Sequence, residues 1–135
     1  MNVYEVAREA IEICLKGVGV KQANERSLKK SAYCTTYVIS DGDGVVEDYN
    51  FCQHEHTWQP ELTIYFHNGA NRAKLHEEVS KTRYDVISAL IHYGKITRPP
   101  ELFQFGVPVE WEQTEIEDDK VSITIRITCI SQNED

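Results

Sequence analysis

Apolar residues recur along the chain with two different periods, which distinguish helical segments from strands. Near the start of the chain they are spaced by three and four residues: Val3, Val6, Ala7, Ala10, Ile11 and Cys14. This spacing predicts a helix over roughly residues 2–16, ended by Gly17 and Gly19. The same spacing predicts a longer helix over about 71–93, ended by Gly94. Its apolar stripe is Leu75, Val79, Val86 and Leu90.

Elsewhere apolar and polar residues alternate, which is the period of a β-strand. Residues 33–39 predict one strand, and residues 57–67 predict another. Because Pro60 has no N–H to donate, strand pairing there should lie at an edge of the sheet or begin just after Pro60. In that second strand the expected core series is Leu62, Ile64 and Phe66, and the opposite series is Thr63, Tyr65 and His67. The last third of the chain predicts a hairpin. Its apolar series are Phe103, Phe105, Val107, Val109 and Trp111, then Val121, Ile123, Ile125 and Ile127.

The sequence DGDG, which starts at Asp41, interrupts the first strand. Asp41 and Asp43 suggest a calcium loop, but Val45 and Cys52 occupy positions at which an EF-hand needs oxygen ligands. A turn with a glycine at positive φ is the better interpretation. We expect a long loop over residues 41–56, and loops of this length in compact domains tend to be functional.

The predicted order α-β-β-α-β-β indicates an α+β fold. We expect a single domain over residues 1–135, with a mixed or antiparallel sheet of about four strands packed against two helices. The last strand has branched apolar residues on one side and hydroxyl groups and Arg126 on the other. One face of the sheet should therefore lie on the core, and the other should face solvent or a neighbouring molecule.

Charge and cysteine content narrow the function classes. A net charge of −8 argues against direct, sequence-specific nucleic-acid binding. The four cysteines, Cys14, Cys34, Cys52 and Cys129, are scattered, which is typical of reduced thiols in the cytoplasm. No apolar run is long enough to cross a membrane, and the acidic residues near the N-terminus argue against a signal peptide.

Catalytic patterns are absent from the sequence, so we expect no enzyme, no catalytic residues and no cofactor. No GxSxG elbow, phosphate-binding glycine motif or HExxH motif occurs. Cys52, His54 and His56 are weak candidates for a zinc site, because zinc needs at least three protein ligands and nothing nearby completes the set. A small metal-binding enzyme that uses these three residues remains the alternative of a different class.

A resemblance to a known family covers nearly the whole chain as a pattern. Thr57-Trp58-Gln59, Glu61-Leu62, Ile64 and Phe66 resemble the central strand of the lambda-type phage tail-terminator family, the minor tail protein U family. The resemblance implies a structural subunit that forms a hexameric ring on the tail tube, ends tube polymerisation and offers a docking surface to head-completion proteins. It also implies a location in the virion tail, after synthesis in the cytoplasm of the host bacterium. Another head–tail joining protein and a monomeric adaptor remain alternatives.

A ring of identical copies needs two different contact surfaces on each copy. The candidate interface residues are Asp41, Asp43, Glu47, Asp48, Trp58 and Tyr65. The two aromatic residues are the expected anchors, although a tryptophan at the start of a strand is more often part of the core. Because the copies share a net negative charge, we expect repulsion that a divalent cation such as Mg²⁺ relieves and that neutralising the four acids eases.

Overall fold

The computed structural model of the protein describes residues 3–19, 34–50, 53–67, 72–96, 104–117 and 120–134. Two helices and six strands lie in these ranges. In chain order they are α1 (Val3–Val18), β1 (Cys34–Ser40), β2 (Gly44–Asn50), β3 (Gln53–Trp58), β4 (Glu61–His67), α2 (Arg72–Ile96), β5 (Gln104–Glu117) and β6 (Lys120–Glu134). The fold is α+β, as the sequence predicts, but two of these strands were not expected.

Both predicted helices are present, and each buries its apolar stripe. α1 buries Val3, Ala7, Ala10, Ile11, Cys14 and Leu15, and α2 buries Leu75, Val79, Val86 and Leu90. α1 ends at Val18, where Gly19 takes a φ of 90°. The prediction that Gly94 ends α2 is wrong, because the helix continues to Ile96. A glycine inside a helix costs only about 1 kcal/mol relative to alanine, and the neighbouring Tyr93 packs against the core.

The strands form one antiparallel sheet in the order β1-β4-β6-β3-β2, and β5 pairs with β6. β1 and β2 are separated only by Asp41–Asp43, and β3 and β4 only by Gln59–Pro60. β4 pairs with the first half of β6 and β3 with its last residues. The sheet therefore consists of four lines of chain that lie side by side. Two of these lines, β1–β2 and β3–β4, each contain two strands with a short break between them, and β6 and β5 form the other two.

The expected loop over residues 41–56 is wrong. Among the described residues of this range only Asp41–Asp43 lie outside a strand, and Gly42 has the predicted positive φ, 65°. Beyond it, β2 and β3 pair as a hairpin, with Val45 opposite Thr57 and Glu47 opposite Glu55. β3 also pairs with the end of β6. We call β2 and β3 together the arm; the hairpin tip lies outside the described residues.

The core lies between the two helices and one face of the sheet, the helix-side face. The sheet contributes Trp58, Leu62, Ile64 and Phe66 together with Val121, Ile123, Ile125, Ile127 and Cys129. The predicted alternation in β4 and β6 is thus confirmed, and β4 begins directly after Pro60 as expected. In β5, Val109 packs against the core, but Trp111 remains 49% exposed. Its ring lies 4.1 Å from the Arg83 guanidinium carbon instead of inside the core.

Candidate interaction surface

The face of the sheet opposite the helices, here the open face, is polar. From β6 it presents Ser122, Thr124, Arg126, Thr128 and Ile130. The Thr63 and Thr124 hydroxyl oxygens lie 3.2 Å apart, and Gln59 Nε2 donates to the Thr128 hydroxyl at 3.3 Å. These groups therefore meet part of their hydrogen-bonding needs within the sheet. Neither described helix covers this face.

Arg126 lies at the centre of the open face and joins three strands. Its Nε donates to Glu61 on β4 and its Nη2 donates to Glu112 on β5, both at 3.1 Å. The hydrogen bonds that Arg126 donates to Glu61 and Glu112 raise the pKa of Arg126, which keeps the guanidinium charged. A guanidinium suits this position because its planar fork can bond two carboxylates at once. The contact links β4, β6 and β5 across the open face.

The arm exposes apolar residues on both of its sides. Val45 lies on the open face and Val46 on the helix-side face, and each is 56% exposed. Glu47 and Asp48, next along β2, are also exposed. Within the described residues β2 pairs with β3 alone, so its outer edge presents unpaired backbone groups. Exposed edges of this kind favour pairing or packing with another chain.

The two histidines of the arm lie on its helix-side face, near the start of α1. The Tyr4 hydroxyl is 2.7 Å from His56 Nδ1, and the rings of His54 and His56 have centroids 5.0 Å apart. Tyr4 also packs on Trp58, with ring centroids 4.8 Å apart. Among the described residues no three metal-ligating side chains come together, and Cys52 lies outside them. Tyr4 engages one nitrogen of His56, and the cluster joins α1 to the arm.

The six predicted interface residues are spread over several surfaces. Asp41 forms an ion pair with Arg8 of α1 at 3.0 Å, and the backbone oxygen of Asp43 accepts a hydrogen bond from Gln59 N. Glu47 and Asp48 are exposed on the arm, and Tyr65 is half-buried on the open face. Trp58 is 2% exposed and belongs to the core. The structure therefore places Glu47 and Asp48 on opposite faces of the arm, and it places neither Trp58 nor Tyr65 on an exposed surface of the arm.

The described thiols offer little nucleophilic chemistry. Burial raises the pKa of the Cys14 thiol to about 11 and that of the Cys129 thiol to about 12. Both sulfur atoms therefore remain protonated at neutral pH, and the thiolate is the reactive form of cysteine. These cysteines act as core residues.

Charge is distributed unevenly between the sheet and the helices. The described strands and the turns between them carry eleven acidic residues against two basic ones, Lys120 and Arg126. α1 carries three acidic and two basic residues, whereas α2 carries five basic and three acidic residues. The sheet is thus the negative side of the molecule and α2 the positive side, which favours contacts between unlike surfaces of two copies.

Several residues of this surface were missed by the sequence reasoning. Val45 and Val46 stand in a segment without alternation, and the contacts of Arg126 depend on strand register. Tyr84 is 73% exposed on α2, and its position opposite the apolar stripe was a signal available in the sequence.

Comparisons of the chain with protein-family models and with curated proteins found no match. Neither of the two described helices is long and apolar enough to cross a membrane.

Proposed function

We propose that the protein is a structural subunit of a phage tail that assembles into a closed ring on the end of the tail tube. In this role it ends tube polymerisation and offers a docking surface to head-completion proteins. The ring is a hexamer, and its partners are other copies of the chain, the tube protein and a connector protein. The proposal rests on the resemblance of residues 57–66 to the tail-terminator family and on the surface of the arm.

The exposed valines of the arm are the observation that carries the proposal. Val45 and Val46 expose more than half of their surface on β2, an edge strand of the described sheet. An edge with exposed apolar residues is a liability for a monomer unless another chain covers it. In a ring every copy has a neighbour, so every arm is covered. The two faces of the arm, which are exposed in a single copy, are then available to contact neighbouring copies.

Removing the apolar surface of the arm is expected to weaken assembly. Threonine in place of both Val45 and Val46 retains the β-branched shape that suits a strand and adds a hydroxyl group to each. Covering both valines contributes about 1–2 kcal/mol per contact, so each contact should weaken by roughly tenfold. Light scattering behind size exclusion, at high protein concentration with and without Mg²⁺, measures the loss.

The matched control for this double variant is Val38→Thr. Val38 is also an exposed valine on an edge strand, but it lies on β1, outside the arm. Wild type and control should reach a mass near six subunits, with rings visible by electron microscopy, and Mg²⁺ should favour them. A strictly monomeric wild type under all conditions would contradict the proposal, and so would a double variant that assembles like the control.

The proximity of His54 and His56 keeps a metal-binding enzyme as the second candidate. Their ring centroids lie 5.0 Å apart on one face of the arm, and two histidines at this spacing are zinc-competent ligands. This alternative predicts stoichiometric zinc in the purified protein and its loss in His54→Ala. The tail-terminator proposal predicts protein without zinc and normal assembly of the same variant. Metal analysis and light scattering on one sample therefore separate the two.

A further inference from the structure

We propose that the helix-side face of the arm in one copy packs against the outer stripe of α2 in the next copy. The arm contributes Val46 and Asp48, and the stripe contributes Lys81 and Tyr84. The inference rests on the proposed ring assembly and goes further by naming the two surfaces that meet.

On the arm, the proposed contact surface lies next to the part of the helix-side face that α1 already covers. α1 reaches the base of the arm, where Tyr4 contacts Trp58 and His56. Beyond that point Val46 and Asp48 are exposed on the same face, since Val46 pairs with His56 and Asp48 with His54. A helix from a neighbouring copy placed there would extend the helix layer over the arm.

The α2 side has the composition that this face requires. The outward residues of α2 recur at spacings of three and four: Lys74, Glu77, Lys81, Tyr84 and Ser88. Tyr84 is the most exposed large apolar or aromatic side chain described, at 73%. The Tyr84 ring would pack against the apolar side chain of Val46, and the ammonium group of Lys81 would form an ion pair with the carboxylate of Asp48. Aromatic residues are enriched at the energetic centres of interfaces, where neighbouring charges set the register.

Two other described surfaces of a second copy, the β5 edge and the outer side of α1, fit the arm less well because they carry a net negative charge, and β1 has no basic residue to meet Asp48. The β5 edge carries Glu110, Glu112 and Glu115, so extension of the sheet from β2 to β5 would oppose like charges. The outer side of α1 carries Glu5, Glu9 and Glu12 against Arg8 and Lys16, which leaves it with a small negative net charge. A symmetric contact of arm with arm would place Glu47 and Asp48 against their own copies. Of the described elements, α2 has the largest positive net charge.

A contact between two different surfaces has a consequence for symmetry. Each copy uses its arm toward one neighbour and its α2 toward the other, which is a heterologous contact and closes into a ring when the rotation allows. It also gives the acids of the arm an attractive role. Neutralising Asp48 should therefore weaken assembly, which is opposite to the effect expected from simple repulsion between acidic copies.

Paired charge reversals test the contact. Asp48→Lys reverses the arm and Lys81→Glu reverses the stripe, and each variant alone should associate about tenfold more weakly than wild type. An equimolar mixture of the two should recover assembly, because the reversed arm meets the reversed stripe and the native arm meets the native stripe. The mixed rings should contain equal numbers of the two variants, which native mass spectrometry detects as the composition of the complex.

The controls are Glu9→Lys and Lys16→Glu on the exposed side of α1, which make the same changes in net charge. They should assemble like wild type, alone or mixed, and circular dichroism confirms that all four variants are folded. If wild type assembles but the mixture of reversals does not recover, the inference is overturned and the ring proposal stands. If a mixture of Asp48→Lys with wild type recovers assembly instead, the arms of neighbouring copies contact each other, and the inference is again overturned. A wild type that never assembles overturns the proposed function itself.

Discussion

Replacing Gly42 with alanine is expected to lower the free energy of unfolding by about 3 kcal/mol, because two separate costs act at this position. The residue has a φ of 65°, in the left-handed region that only glycine enters without strain. A Cβ atom there would also overlap the backbone carbonyl oxygen of Gln59. Urea unfolding followed by circular dichroism measures the loss as a lower midpoint at unchanged slope.

The position matters because Gly42 lies where both broken lines of the sheet meet. Gln59 N donates to the carbonyl oxygen of Asp43 at 3.0 Å, and Ile127 N donates to that of Pro60 at 3.2 Å. The two breaks are thereby held side by side, and they set the direction in which the arm leaves the helix-covered part of the sheet. A variant strained here should lose assembly as well as stability.

Two further variants separate the causes of the Gly42 effect. Gly17 lies in α1, and a Cβ atom added there would meet no other atom within 4 Å, so Gly17→Ala should raise stability by roughly 0.5–1 kcal/mol.

Asparagine tolerates a positive φ better than alanine does but carries the same Cβ. If overlap with Gln59 dominates, Gly42→Asn will be as unstable as Gly42→Ala; if φ dominates, it will recover part of the loss. An unchanged midpoint in both would contradict the described turn.

The helices and the central strands could be predicted from the sequence because burial produces periodicity. Leu62, Ile64 and Phe66 alternate with polar residues since one side of β4 faces the core and the other faces outward. The arm could not be predicted in this way. Both sides of β2 are exposed, so its residues carry no alternation, and the strand forms through its pairing with β3, which the sequence does not display.

The candidate surface was predictable only in part, for the same reason. The exposure of Glu47 and Asp48 follows from their charge. The burial of Trp58 agrees with the expectation for a tryptophan at the start of a strand, and its parity with the core residues Leu62 and Ile64 across the Gln59–Pro60 break explains it. The contacts of Arg126 with Glu61 and Glu112 required the pairing register of three strands, and a register is set by the assembled sheet.

The second large effect is expected at Trp58. Trp58→Ala should lower the free energy of unfolding by about 4 kcal/mol, because it removes a side chain that is 2% exposed and packed against Tyr4. The result can be measured by urea unfolding, and the loss of the Tyr4 contact should also free the base of the arm and weaken ring formation.

Trp58→Phe should be far milder, for a reason specific to this site. The indole Nε1 is buried without a hydrogen-bond partner among the described residues, and an unsatisfied buried donor costs about 1–3 kcal/mol. Phenylalanine removes that donor and retains an aromatic ring against Tyr4. Removing the unsatisfied donor therefore offsets much of the packing energy that is lost because the phenylalanine side chain is smaller. Stability near that of wild type, with normal assembly, would place the role of Trp58 in the core. A phenylalanine variant that is fully stable yet does not assemble would instead assign the indole to a subunit contact and contradict the core role.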